Sequence, residues 1–172
     1  LTLLPAYLQQ NFEHLTQEKG IYLKVDIGEG MPGNMLTDRQ RVEQIMKNLL
    51  SNAIKFTEKG GITVKIGRPT AGVNLERSGL NPQQTIGIVV QDTGIGIPPD
   101  KKELIFQAFQ QVEGTTNRKF GGTGLGLSIS LELARLLDRQ AESRDEREVH
   151  PSGLGVVVEV VEDAGTTGWR QR

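Results

Sequence analysis

The stretch GGTGLGLSIS, Gly121–Ser130, places four glycines within six residues and then becomes apolar. Glycine has no Cβ and accepts positive φ, so such a run lets another group come close to the main chain. A flexible turn is one interpretation; the other is a loop whose N–H groups hold phosphate at the start of a helix. The spacing fits neither the Rossmann fingerprint nor a Gly-Lys-Ser/Thr phosphate loop, so this stretch alone leaves both open.

Composition narrows the class of protein. The chain has 172 residues, a net charge of −1 and no cysteine. This is the length of one domain with its own core, and the balanced charge predicts neither a nucleic-acid partner nor direct membrane contact. The lack of cysteine excludes disulfides, thiolate catalysis and cysteine-bound zinc, and agrees with a cytoplasmic location. Because the first residue is leucine, we expect a part of a longer protein.

Two helices are predicted in the first third of the chain. The first covers residues 5–19 and ends at Gly20, a residue suited to a C-terminal cap. The second opens at Thr37, whose Thr-x-x-Gln spacing forms a capping box, and continues to about Thr57. The first helix carries apolar residues at helical spacing, namely Leu4, Leu8, Phe12 and Leu15.

The rest of the chain predicts strands, one further helix and a tail. From Leu125 to Leu133 every second residue is apolar, which favours a strand, but the apolar character continues to Leu137 and is too long for most strands. We therefore predict a helix there, followed by a charge run over residues 138–148. The predicted strands are residues 21–27, 62–66, 86–91 and 156–161, with a polar loop at 68–84.

The second predicted helix separates a polar face from an apolar one. Helix interiors disfavour asparagine, and a solvated face usually carries Glu, Lys or Arg instead. An asparagine oxygen suits Mg²⁺ that is shared with phosphate, and a lysine could neutralise phosphate. A solvated face and a phosphate–metal site are equally good interpretations of this helix alone. Its polar stripe, which spans an arc of roughly 80°, consists of Gln44, Asn48, Asn52 and Lys55.

DTGIGIPPD, Asp92–Asp100, follows a predicted apolar strand. Asp-Thr-Gly is good turn chemistry and two prolines end the segment, so a simple turn is one interpretation. The other is a ligand site, because a carboxylate at a strand end can accept a hydrogen bond from the N6 amine of adenine. Gly94 and Gly96 would let a flat base lie against the backbone. Neither interpretation is favoured by this segment alone.

The order of these stretches favours the functional interpretations. An Asn-x-x-x-Asn helix is followed by DTGIGIP, IFQAFQQ and GGTGLGL, which correspond in order to N, G1, F and G2 boxes. With these boxes the chain resembles the catalytic ATP-binding domain of bacterial sensor histidine kinases. That family belongs to an ATPase superfamily shared with DNA gyrase, a heat-shock chaperone and mismatch-repair proteins. The resemblance runs from about Ile21 to Leu137.

The resemblance implies a role for each matched residue. Asn48 matches the magnesium-binding asparagine, and Asn52 and Lys55 match residues that face the phosphates. Asp92 matches the adenine-reading aspartate, and Thr123 matches a threonine that supports the adenine end. The other residues implied to line the nucleotide are Gly94, Gly96, Ile97, Arg118, Lys119, Gly122, Gly124, Leu125, Gly126 and Leu127.

Some of the residues matched to the family also have a second, non-functional interpretation. The glycine-rich loop is implied to close a lid over the triphosphate, with its main chain near the phosphates. Arg118 and Lys119 lie where the family lid carries phosphate-facing bases, but they are equally well explained as solvated lid charges. Phe106 and Phe109 match the F box, and ordinary core packing explains them nearly as well.

Three features depart from the family or its superfamily. Gln44 stands where superfamily members that hydrolyse ATP use a glutamate to activate water, which favours phosphoryl transfer over hydrolysis. The segment after Leu137 matches the usual C-terminal strands poorly, so those strands are in doubt. The chain has two histidines, His14 and His150, and neither lies in the His-Glu/Asp motif that receives phosphate. We expect His14 to be a solvated helix residue and His150 a loop residue, neither with the acidic neighbour that would orient an imidazole for attack.

The predicted fold is an α/β two-layer sandwich, with helices on one face of a mixed sheet and the nucleotide between helix and lid. Residues 1–20 are expected to follow a dimerisation domain, residues 21–164 to form the catalytic domain, and residues 165–172 to be a loose tail. The expected function is transfer of the γ-phosphoryl group of Mg-ATP to a histidine. That histidine lies on the dimerisation and histidine phosphotransfer domain of the same protein, with a response regulator as an indirect partner. The alternatives are an ATP-hydrolysing conformational switch and a degenerate nucleotide-binding module.

Overall fold

A computed structural model describes residues 3–33, 37–69, 85–101, 104–106, 125–145 and 155–162. Two single-turn 3₁₀ helices, Pro99–Lys101 and Leu104–Phe106, lie between the third strand and the third α-helix. The regular elements in chain order are α1 (Leu3–Lys19), β1 (Tyr22–Ile27), α2 (Arg39–Phe56), β2 (Gly61–Gly67), β3 (Thr85–Asp92), α3 (Gly126–Asp145) and β4 (Gly155–Glu162).

The strands form a four-stranded sheet in the order β1-β2-β3-β4. β1 runs parallel to β2, β2 runs antiparallel to β3, and β3 runs parallel to β4. Val25 pairs with Val64, which in turn pairs with Val90, so the pleats of the first three strands are in register. The sheet is therefore mixed, as the sequence predicts.

The core lies between one face of this sheet and the helices. Alternate residues of β2 and β3 are buried there, as the period-two pattern requires, while Thr63 and Lys65 lie on the opposite, more exposed face. The helices contribute Leu8, Ile45 and Leu50 to the same cluster. The prediction of helices on one face of a mixed sheet is confirmed. The buried strand residues are Ile62, Val64, Ile66, Ile86, Ile88 and Val90.

The residues through which α1 packs on this core differ slightly from the predicted ones. Leu8 and Phe12 are buried, but Leu15 is 46% exposed, and Thr16, at 1% exposure, takes the inward position. Two successive steps of four residues lead from Leu8 to Thr16, and the Thr16 hydroxyl donates to the Glu13 carbonyl at 2.8 Å. A threonine can be buried in a helix because its hydroxyl bonds back to the preceding turn.

The start of α2 differs from the predicted capping box at Thr37. The N-cap is Asp38, whose Oδ1 accepts a hydrogen bond from the Arg41 N–H at 3.2 Å. The Arg41 guanidinium also lies 3.2 Å from the Asp38 carboxylate. An aspartate caps a helix better than a threonine and adds negative charge at the positive end of the helix dipole, so the helix opens one residue later than expected.

α3 confirms the choice of helix over strand for residues 125–137 and continues further. It runs to Asp145, well into the charge run, because this segment consists largely of Gln, Ala, Glu and Arg, residues that tolerate or favour helix. β4 then pairs with β3 over its whole length, from Thr85↔Gly155 to Asp92↔Glu162. The expected strand at 156–161 is confirmed.

We expect Asp38→Ala to lower the free energy of unfolding by about 1 kcal/mol, because α2 loses its N-terminal acceptor. Urea denaturation measures the change. Thr37→Ala is the matched control and should change stability by less than about 0.5 kcal/mol. A larger loss of unfolding free energy for Thr37→Ala than for Asp38→Ala would indicate that Thr37 caps the helix, as the capping box predicts.

Candidate functional site

The polar stripe of α2 borders the first turn of α3. A Cβ placed on Gly126 would lie 3.9 Å from Cβ and Cγ of Asn48 and 4.0 Å from Nδ2 of Asn52. Asn48, Asn52 and Lys55 are half-buried, and Gln44 is exposed. The fold thus brings the two asparagines next to the end of the glycine-rich loop, although they are far away from it in the chain.

Hydrogen bonds fix the side-chain amide of Asn48. Its Nδ2 donates to the carbonyl of Gly126 and to Oγ of Ser130, both at 3.1 Å. Its Oδ1 accepts from Nε2 of Gln44 at 3.1 Å. Because both N–H donors of Nδ2 are bonded to α3, Oδ1 is the atom of this amide that can contact a ligand.

Ser130 has a part in this site that the sequence analysis did not find. It is 1% exposed, and its hydroxyl donates to the Gly126 carbonyl at 2.9 Å while accepting from Asn48. The sequence signal for this role is a serine within the apolar run after the glycine-rich loop, four residues beyond Gly126. A buried hydroxyl needs a partner, and α2 supplies it.

Asp92 ends β3 and holds the turn that follows. Its Oδ1 accepts the N–H of Gly94 at 2.8 Å, the pattern of a turn closed by an aspartate. Burial raises the pKa of this carboxyl above its ordinary value, and the Gly94 N–H opposes that change. The Thr57 side chain opposes it as well. Because a carboxylate has several lone pairs, the half-buried Asp92 can still accept from a further donor at the edge of the site.

Thr93 ties the same turn to the start of β2. Its Oγ1 accepts the N–H of Gly61 at 3.0 Å and donates to the carbonyl of Lys59 at 2.9 Å. The backbone N–H of Thr93 donates to the Gly61 carbonyl at 3.2 Å. This role of Thr93 is not visible in the sequence, since its partners are about thirty residues earlier in the chain.

Gly94 packs directly against the end of α2. A Cβ at this position would lie 2.6 Å from the Phe56 carbonyl oxygen and 2.7 Å from Oδ1 of Asp92, so only glycine fits. The N–H of Ile95 donates to the same Phe56 carbonyl at 3.3 Å. Gly96 has φ of 71°, a conformation that favours glycine, and Ile97 follows it half-buried. The Asp92 turn and the end of α2 thus form one unit.

Lys55 lies in this last turn of α2. Its Nζ is 4.7 Å from the centroid of the Phe56 ring, and burial lowers the pKa of its ammonium group. An anion close to Nζ would favour the charged form again. The half-buried lysine is thus suited to bind a negatively charged group.

The donor set fits a magnesium–nucleotide pair better than a metal held by protein alone. Within the described ranges, no group of three or more His, Cys, Asp or Glu residues could hold a metal ion. Mg²⁺ commonly takes one or two protein oxygens and completes its shell with phosphate and water. Asn48 Oδ1 has two lone pairs, so it can accept from Gln44 and still contact a metal.

Several predicted site residues lie outside the described residues: Phe109, Arg118, Lys119, Gly122, Thr123, Gly124 and His150. Leu125, Gly126 and Leu127 are described and half-buried where α3 begins, and Leu127 packs on the core. Phe106 ends the second 3₁₀ turn. No helix in the described part of the chain is long and apolar enough to cross a membrane.

His14 corrects one expectation. It is 78% exposed on α1, as a solvated helix residue should be, but it does have an acidic partner. Its Nε2 lies 3.3 Å from Oε1 of Glu18, one helical turn further on. This partner lies outside the His-Glu/Asp motif, at the i,i+4 spacing of a helix.

Comparison with known proteins identifies the family. The family of histidine kinase-, DNA gyrase B-, and HSP90-like ATPases matches residues 37–167. The chain belongs to this family. Its match extends beyond Leu137, where the resemblance found in the sequence ends, and includes α3 and β4. The prediction of an ATPase domain of the histidine kinase type is confirmed.

Individual relatives agree with this assignment. The signal transduction histidine-protein kinase BarA of Escherichia coli is 39% identical over 120 residues, 70% of this chain and 12% of BarA. A crystal structure of full-length ShkA in complex with AMPPNP matches 76% of this chain and 24% of that one, with 31% identity and a TM-score of 0.58. The nucleotide-free catalytic domain of the histidine kinase ThkA matches 80% of this chain and 78% of that one, with 25% identity and a TM-score of 0.61. The chain thus spans a small part of BarA and ShkA and most of the ThkA domain.

The raised pKa of Asp92 leads to a prediction about stability and pH. Because the folded protein binds this proton more tightly than the unfolded chain does, ionisation of Asp92 costs stability as pH rises through its folded pKa. Asp92→Asn, which keeps an acceptor for the Gly94 N–H, should therefore be more stable than the parent at pH 7. The difference should shrink as pH falls below the ordinary aspartate pKa.

Thermal unfolding from pH 3 to pH 8 measures this difference. Asp100→Asn, the same replacement at an exposed position, is the matched control. A constant difference in Tm between Asp92→Asn and the parent across this range would contradict the assigned cost of burying the charge.

Proposed function

We propose that this domain binds Mg-ATP and presents the γ-phosphoryl group to a histidine of a dimerisation and histidine phosphotransfer domain in the same protein. The observation that carries the proposal is the unit formed by the end of α2, the Asp92 turn and the start of α3. It brings three groups to one side of the fold: the Asp92 carboxylate as an acceptor for adenine, the Lys55 ammonium and the Asn48 amide oxygen. The AMPPNP bound in the ShkA structure supports a nucleotide as the ligand.

The adenine end is assigned to Asp92. Its Oδ1 already accepts from Gly94, and a carboxylate has further lone pairs to accept a hydrogen bond from an exocyclic amine. The turn holding Asp92 is tied to β2 by Thr93 and to α2 by Ile95, so the carboxylate is held before a ligand arrives. Because the acceptor is already fixed, less conformational entropy is lost when a ligand binds. A base that lacks the amine cannot pair with this carboxylate and is rejected.

The phosphate end is assigned to the polar stripe of α2. Asn48 Oδ1 would contact Mg²⁺, which supplies charge neutralisation to the phosphates when it is bound. Lys55 would face the phosphates directly, and Asn52 would donate to a phosphate oxygen. The bonds from Asn48 to Gly126 and Ser130 support this assignment, because they hold the amide with its oxygen available.

The proposed reaction needs no nucleophile from this chain. A ring nitrogen of the acceptor histidine forms a bond to the γ-phosphorus while the bond to the β–γ bridging oxygen breaks, and ADP leaves. Gln44 offers a neutral amide, which cannot take a proton from water. Positioning and charge neutralisation are then the main contributions of this domain. A response regulator is the proposed later acceptor, and the cytoplasm, where ATP is abundant, is the proposed location.

Phosphotransfer to a supplied partner tests the function. The chain, Mg²⁺ and γ-labelled ATP should label the dimerisation domain of the parent protein with acid-labile phosphate, and should leave this chain unlabelled. His14→Gln controls for labelling at the His14–Glu18 pair. Steady phosphate release with no labelled acceptor would favour the ATP-hydrolysing switch, and nucleotide binding with neither result would favour a degenerate module.

Asp92→Ala should raise the Kd for ATP by about tenfold to a hundredfold, because the amine loses its acceptor while it is still desolvated. Isothermal titration at a temperature well below Tm measures the change. GTP, which lacks this amine, should bind the parent and the variant about equally weakly. Unchanged ATP affinity would remove Asp92 from the adenine site.

Asn48→Ala should flatten the dependence of ATP affinity on Mg²⁺ concentration, because the metal loses its protein oxygen. Titrations of ATP at several Mg²⁺ concentrations measure it. Asn11→Ala is the control, since Asn11 is an exposed α1 residue whose side chain donates locally to the Tyr7 carbonyl. A magnesium dependence equal to that of the parent would exclude Asn48 as a ligand.

A further inference from the structure

Lys19, the last residue of α1, reaches across to the C-terminal end of α2. Its Nζ donates to the carbonyl oxygens of Ile54 and Lys55, the latter at 3.0 Å. The side chain is half-buried. The last carbonyls of a helix have no partner within the helix and carry partial negative charge, so a lysine here satisfies them and is attracted to them.

These two carbonyls complete the hydrogen bonding at this end of α2. The Ala53 carbonyl accepts from the Thr57 N–H at 3.0 Å, and the Phe56 carbonyl accepts from the Ile95 N–H at 3.3 Å. α1 therefore satisfies the middle two of the last four carbonyls, and the Asp92 turn satisfies the last. Without Lys19, the turn that carries Lys55 would lose both of its donors from α1.

We propose that Lys19 is a positioning residue for phosphate binding, which holds the last turn of α2 so that the Lys55 ammonium faces the nucleotide phosphates. This inference rests on the proposed role of Lys55. The direction of a long side chain depends on the backbone that carries it, and the Lys55 carbonyl is itself one of the two that Lys19 holds. Lys19 acts through its two carbonyl contacts, which use two of the three N–H donors of its ammonium group.

The connection gives α1 a direct effect on the nucleotide site. α1 is anchored to the core by Leu8 and Phe12, and its last residue meets the end of α2. A shift of α1 along its axis would withdraw Lys19 from both carbonyls together. The strength of phosphate binding would then depend on how α1 sits on the core.

The test compares three variants with the parent by isothermal titration with Mg-ATP and with adenosine, well below Tm. Lys19→Met keeps the apolar stem and cannot donate, and it should raise the Kd for ATP by about 3- to 30-fold. The Kd for adenosine, which has no phosphate, should change by less than about twofold. Lys19→Arg, whose guanidinium can donate to two carbonyls, should restore most of the affinity. Lys65→Met removes a lysine from the exposed face of the sheet and should change neither Kd.

A double variant separates positioning from simple charge. In the Lys55→Met background, Lys19→Met should add little, because the group it positions is gone. An additive loss of ATP affinity would overturn the inference and show a direct charge effect. Equal losses for ATP and adenosine would overturn it as well, since they would indicate general damage to the site. If Lys19→Met does not fold, Lys19→Leu, which also cannot donate, replaces it with the same expectations.

The two proposals can fail separately. If Lys55→Met weakens ATP binding and Lys19→Met does not, the positioning role is wrong and the phosphate site stands. If Lys55→Met leaves ATP affinity unchanged, Lys55 is not a phosphate ligand, and both the proposed phosphate site and the inference are wrong.

Discussion

The last carbonyl oxygens of α2 have no donor within the helix, and two separate parts of the chain supply donors to them. Thr57 closes the last helical bond, and beyond it Lys19 of α1 and Ile95 of the Asp92 turn donate to the remaining carbonyls. A partly buried carbonyl without a donor would cost about 1–3 kcal/mol. The same bonds that stabilise the helix end therefore fix where the proposed adenine and phosphate ends of the site lie.

The start of α3 provides a second attachment along the same helix. Asn48 donates twice to α3, and Ser130 is buried beneath that contact. Among the described residues, Asn48, Asn52 and Lys55 thus sit on a helix and Asp92 at a strand end, where the backbone is already bonded, which reduces the ordering needed when a ligand binds. Membership of the ATPase family agrees with the proposed function, in which this domain contributes positioning and charge rather than a nucleophile.

Much of the candidate site could be predicted from the sequence because its residues lie in short stretches with a characteristic spacing. Asn48 and Asn52 share a helical face, and Asp92 follows an apolar strand, so local patterns suffice to single them out. Lys19 and Ser130 could not be found in this way. Their partners lie 36 and 82 residues away, and only the packing of α1 and α3 on α2 brings them together. The shift of the N-cap from Thr37 to Asp38 has another cause, since two adjacent residues both make good caps and local rules separate them poorly.

Backbone and side-chain amide resonances recorded during a titration with Mg-AMPPNP test the central claim most directly. If the end of α2, the Asp92 turn and the start of α3 frame one nucleotide site, the amides of Gly94, Ile95 and Gly126 and the side-chain amides of Asn48 and Asn52 should shift together, with one Kd. The exposed sheet face around Lys24 and Lys65 should remain unchanged. Shifts confined to that face, or different affinities for the α2 and Asp92-turn signals, would contradict a single site built on the end of α2.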